Sequence, residues 1–311
     1  MIKANLVHLG TNMWGDWDHP DWPFGWGAQP SLRFDEIVWR KVIDKMSKCG
    51  MNALLLDLAD GVRYKSHPEI AVENAWTVDK LKDELQRCRD LGLEVLPKLN
   101  FSATHDIWLK EYSRMVSTKK YYQVCGELIQ EAIEIFDGPR FFHLGMDEEG
   151  DKNQLKMLYM VVRHGELWWH DLNLLVDFVE KNNSQAWVWS DKGWHCEPEE
   201  FFANMPKSAV QSNWYYWDVE NPGGEARQKY VDFYLELDQH GYKQIPAGIG
   251  IQEAGQTYNI HSYPELVKFC TEQISQENLL GFLQTSWIFL VPENAEKIMK
   301  SIEITKGKLN G

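Results

Sequence analysis

Three consecutive carboxylates, Asp147, Glu148 and Glu149, close the short apolar run Phe141-Phe142-His143-Leu144-Gly145-Met146. Such a run reads as a buried strand, and unpaired charge at the end of a buried strand is costly to fold around. The acids therefore point either to chemistry or to a solvated acidic loop that follows a core strand. Two-residue alternation would send His143, Gly145 and Asp147 to one side, with Glu148 just past the strand end. Neighbours placed in this way can take different roles, one carboxylate staying ionised while the other donates a proton.

Tryptophan is the second chemical signal, with 15 in 311 residues. Four of them, Trp14, Trp17, Trp22 and Trp26, crowd into one segment rich in Gly, Pro and Asp. Indoles are rigid platforms with one polar handle, and the C–H faces of sugar rings lie flat against them. A single Trp is more simply a core residue, but a turn-rich loop rarely sits in a core. The pair Trp168-Trp169 reads as an exposed loop, open to a partner subunit or a long glycan.

The elements that must hold these groups recur in a regular order. Apolar runs lie at 5–9, 52–58, 94–99, 140–144, 186–190, 209–213, 245–249 and 281–285. Amphipathic stretches separate them, at 34–48, 78–91, 119–136, 171–182, 198–204, 226–239, 263–276 and 292–302. Thr77 and Gly92 bracket one such helix, and Gly50 and Gly241 close two others. Strands alternating with helices imply parallel pairing, and eight units in 311 residues match an α/β fold of the (β/α)₈ barrel type. No phosphate-binding glycine fingerprint follows the first run, which disfavours an open doubly wound sheet. With no linker or repeat, residues 1–311 read as a single barrel domain with long, aromatic-rich βα loops.

A barrel of this kind builds its site from the loops after each strand. By that rule Asp60, His105, Asp147, Glu148, Trp189, Asp191, Trp214, Tyr215, Glu253 and Trp287 converge on one rim, with Asn12, Asp16, Asp18 and His19 from the first loop. Acids and aromatics on one rim suit an oligosaccharide or glycoside as partner. The net charge of −14 argues against nucleic acid or an anionic membrane surface. No apolar stretch reaches membrane-spanning length. The five cysteines are scattered, with neither metal-ligand spacing nor a disulfide framework, so buried thiols are expected. The N-terminus lacks the features of a secretory signal; the expectation is a cytoplasmic chain, or one exported with a leader outside this sequence. Neither a cofactor nor a metal is called for, and the oligomeric state is left open.

His143-Leu144-Gly145-Met146-Asp147-Glu148 resembles the His-x-Gly-Gly-Asp-Glu motif of glycoside hydrolase family 20, the β-N-acetylhexosaminidases. The segment 52–63, with Asp60 and Arg63, is similar to that family's second-strand segment, and 91–108, ending near His105, to its third. The resemblance runs from about residue 40 to 290. It implies substrate-assisted, retaining catalysis. Glu148 would be the general acid and later the base, and Asp147 would orient the substrate's 2-acetamido group, whose carbonyl oxygen attacks the anomeric carbon. The charge of Asp147 would raise the pKa of Glu148. Trp189, Trp214 and Trp287 would wall the sugar pocket, and Tyr215 or Tyr258 would bind the acetamido oxygen.

The sequence also departs from the family. Met146 replaces a glycine, Lys98 and Asn100 replace two acids, the first strand carries no arginine, and the last strand reads Trp287-Ile288-Phe289 where the family has Trp-x-Glu. The family's accessory N-terminal domain is absent. These changes spare the acid pair but leave the sugar and the acetamido requirement open. Three other readings stand beside this one. Glu253, just past the seventh strand, could act as nucleophile with Glu148 as acid. The chain could bind saccharides without turning them over. Asp147, Glu148, Glu149, Asp191 and His195 could hold a divalent metal through hard oxygen ligands.

Overall fold

The computed structural model describes residues 1–17, 26–155, 157–252 and 262–306. Eight parallel strands run through them: β1 (Ile2–His8), β2 (Ala53–Asp57), β3 (Glu94–Lys98), β4 (Phe141–His143), β5 (Gln185–Trp189), β6 (Val210–Ser212), β7 (Ala247–Gln252) and β8 (Gly281–Trp287). Their order is β6-β5-β4-β3-β2-β1-β8-β7, and the bridges Gln211–Gln244 and Trp214–Ala247 join β6 to the β7 side. A (β/α)₈ barrel results, as the alternation of runs implied.

The helices that surround the barrel are α1 (Glu36–Lys48), α2 (Val78–Asp90), α3 (Lys119–Ile135), α4 (Glu166–Lys181), α5 (Pro198–Asn204), α6 (Glu225–Gln239), α7 (Ser262–Gln273) and α8 (Ala295–Ile304), with one further turn of helix at Asp151–Gln154 in the loop after β4. Short polar caps begin three of them: Asp35, Thr77 and Thr118 each accept a first-turn N–H. Gly50, Gly92 and Gly241 follow helix ends with φ of +83°, +79° and +72°, the left-handed turn that glycine makes without strain. One helix begins earlier than its periodicity suggested. α4 starts at Glu166 and takes in Trp168 and Trp169, which are buried in the core rather than exposed on a loop. No helix among the described residues is long and apolar enough to cross a membrane.

Alternation along the strands fills the lumen. Leu6, Leu55, Leu96, Phe141, Trp187 and Leu283 pack inside it, while the opposite faces pack against the helices. At the C-terminal end the lumen turns polar. Register pairs His8 with Asp57, Asp57 with Lys98 and Lys98 with His143. These four fully buried groups form one row, in which the Lys98 ammonium pairs directly with Asp57 and His8 Nδ1 lies 3.3 Å from the same carboxylate. That row is the floor under the loops.

Candidate active site

β4 ends at His143, and the chain then leaves regular geometry: Gly145, Met146 and Glu148 have φ of +72°, +71° and +54°. A Cβ at Gly145 would stand 2.0 Å from Asn100 Oδ1, so this position requires glycine. Met146 and Glu148 hold the same backbone region against their own Cβ, a strain of order 1 kcal/mol each. It persists because the loop after β3 grips the turn. Ser102 Oγ donates to the Asp147 carbonyl (2.6 Å), Thr104 Oγ1 to the Glu148 carbonyl (3.0 Å), and Asn100 Nδ2 to Asp147 Oδ1 (2.7 Å).

The third acid faces elsewhere. Glu149 accepts from Arg163 Nε at 2.6 Å, and Arg163 also donates to Asp171 of α4 (3.1 Å) and to the Phe101 carbonyl (3.0 Å). Arg163 and Glu149 are buried and hydrogen-bonded on all sides, the condition under which a buried ion pair holds.

Asp147 and Glu148 open into a cavity of about 250 Å³ whose other lining residues are His105, Trp14, Trp26, Trp189, Trp214, Tyr216, Trp217 and Trp287. His105 Nε2 lies 3.5 Å from Asp147 Oδ2 and 3.3 Å from Glu148 Oε2. Burial opposes a charge on His105, but Asp147 and Glu148 outweigh it and raise the imidazole above its ordinary value. Glu148 moves opposite to the expectation from its neighbour. Burial pushes its carboxyl up, yet the His105 hydrogen bond and charge, helped by His195, bring it below the usual value. The proton of this pair therefore rests on His105.

Further placements differ from the expectations of the sequence. Asp191 lies behind the cavity wall rather than in it: Oδ2 accepts the Glu148 amide (2.7 Å) and Oδ1 the Trp214 indole (3.3 Å). Tyr215 is turned into the α6–α7 side of the core, its hydroxyl on the Pro222 carbonyl, whereas Tyr216 faces the cavity and accepts from Trp287 Nε1 at 3.0 Å. The alternation of an extended chain explains the exchange, since Trp214 and Tyr216 share a side and Tyr215 takes the other. Asp60 is buried away from the cavity, bonded to Asn12 Nδ2 at 2.8 Å, and burial lifts its carboxyl to about 7. Glu253, Tyr258, Asp18, His19 and Trp22 lie outside the described residues.

Sequence patterns marked neither Asn100 nor Arg163 as a support of the acid pair. Asn100 was legible as an amide at a strand end; Arg163, in the loop before α4, gave no signal. Of the proposed metal ligands, Glu149 is held by Arg163 and Asp191 by an amide and an indole. Among the described residues, His105, Asp147 and Glu148 alone bring ligand atoms within 4.8 Å of one another. The ion pairing of His105 already accounts for that spacing.

No protein-family model matches the sequence, and neither does any curated protein sequence. The fold, in contrast, is shared with solved barrels of glycoside hydrolase family 20. The chitobiase of Flavobacterium johnsoniae superposes with a TM-score of 0.63 at 18% identity, over 89% of this chain and 49% of its own. The β-N-acetylhexosaminidase of Streptomyces coelicolor A3(2) gives 0.65 at 12%, over 99% and 64%, and Dispersin B gives 0.58 at 16%, over 89% and 94%. This chain thus spans about half to two thirds of the two larger enzymes.

Proposed function

We propose that the chain is a glycoside hydrolase that removes a terminal 2-acetamido sugar with retention of configuration. The observation that carries this reading is the pairing of Asp147 and Glu148 at the mouth of an indole-walled cavity, on the barrel face where such folds place their chemistry. Its support from outside is a fold shared with β-N-acetylhexosaminidases.

Asp147, fixed by Asn100 and His105, orients the acetamido N–H so that the acetamido oxygen faces the anomeric carbon. Tyr216, which lines the same cavity with its hydroxyl held by Trp287, would meet that oxygen. Glu148 supplies the proton to the departing glycosidic oxygen. Because His105 carries the proton of the pair, that proton passes from Nε2 to Glu148 Oε2 across their 3.3 Å contact when the substrate binds. Bond cleavage leaves a cyclic oxazolinium, and Glu148, now ionised, takes a proton from the water that opens it. No protein nucleophile is needed. A cavity of about 250 Å³ lies just below the usual range for ligand pockets and suits one sugar ring.

Hydrolysis of 4-nitrophenyl β-N-acetylglucosaminide and β-N-acetylgalactosaminide is the direct test. Activity on either should fall about 10²–10⁴-fold in Glu148→Gln. Wild-type protein inert toward both, or a Glu148→Gln variant as active as its parent, would overturn the reading.

A further inference from the structure

Asp191 is a buried acid that neither lines the cavity nor pairs with a cation. It opens the turn after β5, is 2% exposed, and spends both oxygens on the site: one on the Glu148 main chain, one on the Trp214 indole. We propose that Asp191 is a positioning residue for the acid, fixing Glu148 in its left-handed turn and tying that turn to the Trp214 wall of the cavity. The proposal rests on the glycosidase reading for its kinetic part only.

Two features support this role. Glu148 adopts φ of +54° with a Cβ, a conformation that needs an external hold, and the bond from its N–H to Asp191 is the one that pins that amide. The same carboxylate holds Trp214, so the acid and one wall of the cavity are tied to a single group. Trp194 packs behind Trp214 with ring centroids 4.5 Å apart, closing the other side.

Asp191→Asn keeps an acceptor for the Glu148 amide; Asp191→Ala removes it. Circular dichroism establishes that each folds. Amide hydrogen exchange at Glu148 reads the hold without requiring turnover, and it should speed by about 10-fold or more in Asp191→Ala while staying near wild type in Asp191→Asn. Toward the aryl glycoside, Asp191→Ala should lose about 10-fold in kcat relative to Asp191→Asn with KM little changed, because the acid is misplaced. A Glu148 exchange rate equal in the two variants, or a kcat in Asp191→Ala equal to that of Asp191→Asn, overturns the proposal. If wild type hydrolyses no aryl glycoside, the glycosidase reading fails by itself, and the exchange rate alone decides for or against Asp191.

Discussion

The proposed mechanism requires Glu148 to carry a proton, yet Glu148 is the more acidic partner of its pair with His105. Its side chain is 44% exposed, so it is the solvent-facing partner of a largely buried imidazole. In the proposed mechanism His105 stores the proton that Glu148 delivers. Replacing it with Gln removes the cation that holds Glu148 down, so the Glu148 titration should move to higher pH. Carboxyl NMR across the acid range checks the sign, and a midpoint that stays or falls contradicts the pairing. In the proposed mechanism Asp147 is an oriented acceptor. Asp147→Asn should cost about 10²–10³-fold in kcat toward an acetamido sugar, and kinetics on matched substrates with and without the acetamido group would reveal whether the loss is confined to the former.

At the scale of elements, the site depends on one irregular turn braced by two loops. The β3 loop grips it through Asn100, Ser102 and Thr104; the segment before α4 grips it through Arg163. Gly145→Ala forces a Cβ into the Asn100 side chain at a φ of +72°. The expected loss is about 2–4 kcal/mol of stability, with activity falling further because Asp147 shifts. Urea unfolding beside the aryl glycoside assay separates the two effects. Arg163→Met strands Glu149 and Asp171 without their cation and should destabilise by about 3–5 kcal/mol. A midpoint unchanged from wild type would show that the clamp contributes nothing.

For the whole molecule, the notable cost is charge inside the barrel. Lys98 and Asp57 are buried with no exposed surface, between two imidazoles whose pKa values burial pushes down. Lys98→Met alone leaves Asp57 uncompensated and should cost about 3–5 kcal/mol, whereas Lys98→Met with Asp57→Leu should cost less than the single change. Denaturant midpoints of the three proteins decide this. Asp60 contributes one part of the pH dependence. Burial raises its carboxyl from 3.8 to about 7, so between those values the native state holds a proton that the unfolded chain has lost. Stability from this group therefore falls as pH rises through that window. Asp60→Asn should leave stability near pH 4 unchanged and increase it near pH 8 by roughly 2–4 kcal/mol.

The eight runs of apolar residues, the Gly and Thr signals at helix ends, and the acid pair after β4 were all legible in the chain, because each depends on local periodicity or on capping by near neighbours. The barrel followed from their alternation, since parallel strands joined by helices have few ways to bury both faces. What the linear order could not reveal was partnership. Whether Asp60 and Asp191 face the cavity or lie behind it, whether Glu149 joins the acids or serves Arg163, and whether Trp168 and Trp169 sit on a loop or in the core depend on contacts between residues far apart in sequence. The proton affinity of Glu148 belongs to the same class. Its nearest neighbour in sequence, Asp147, would push one way, and His105, brought in by a different strand, decides the direction.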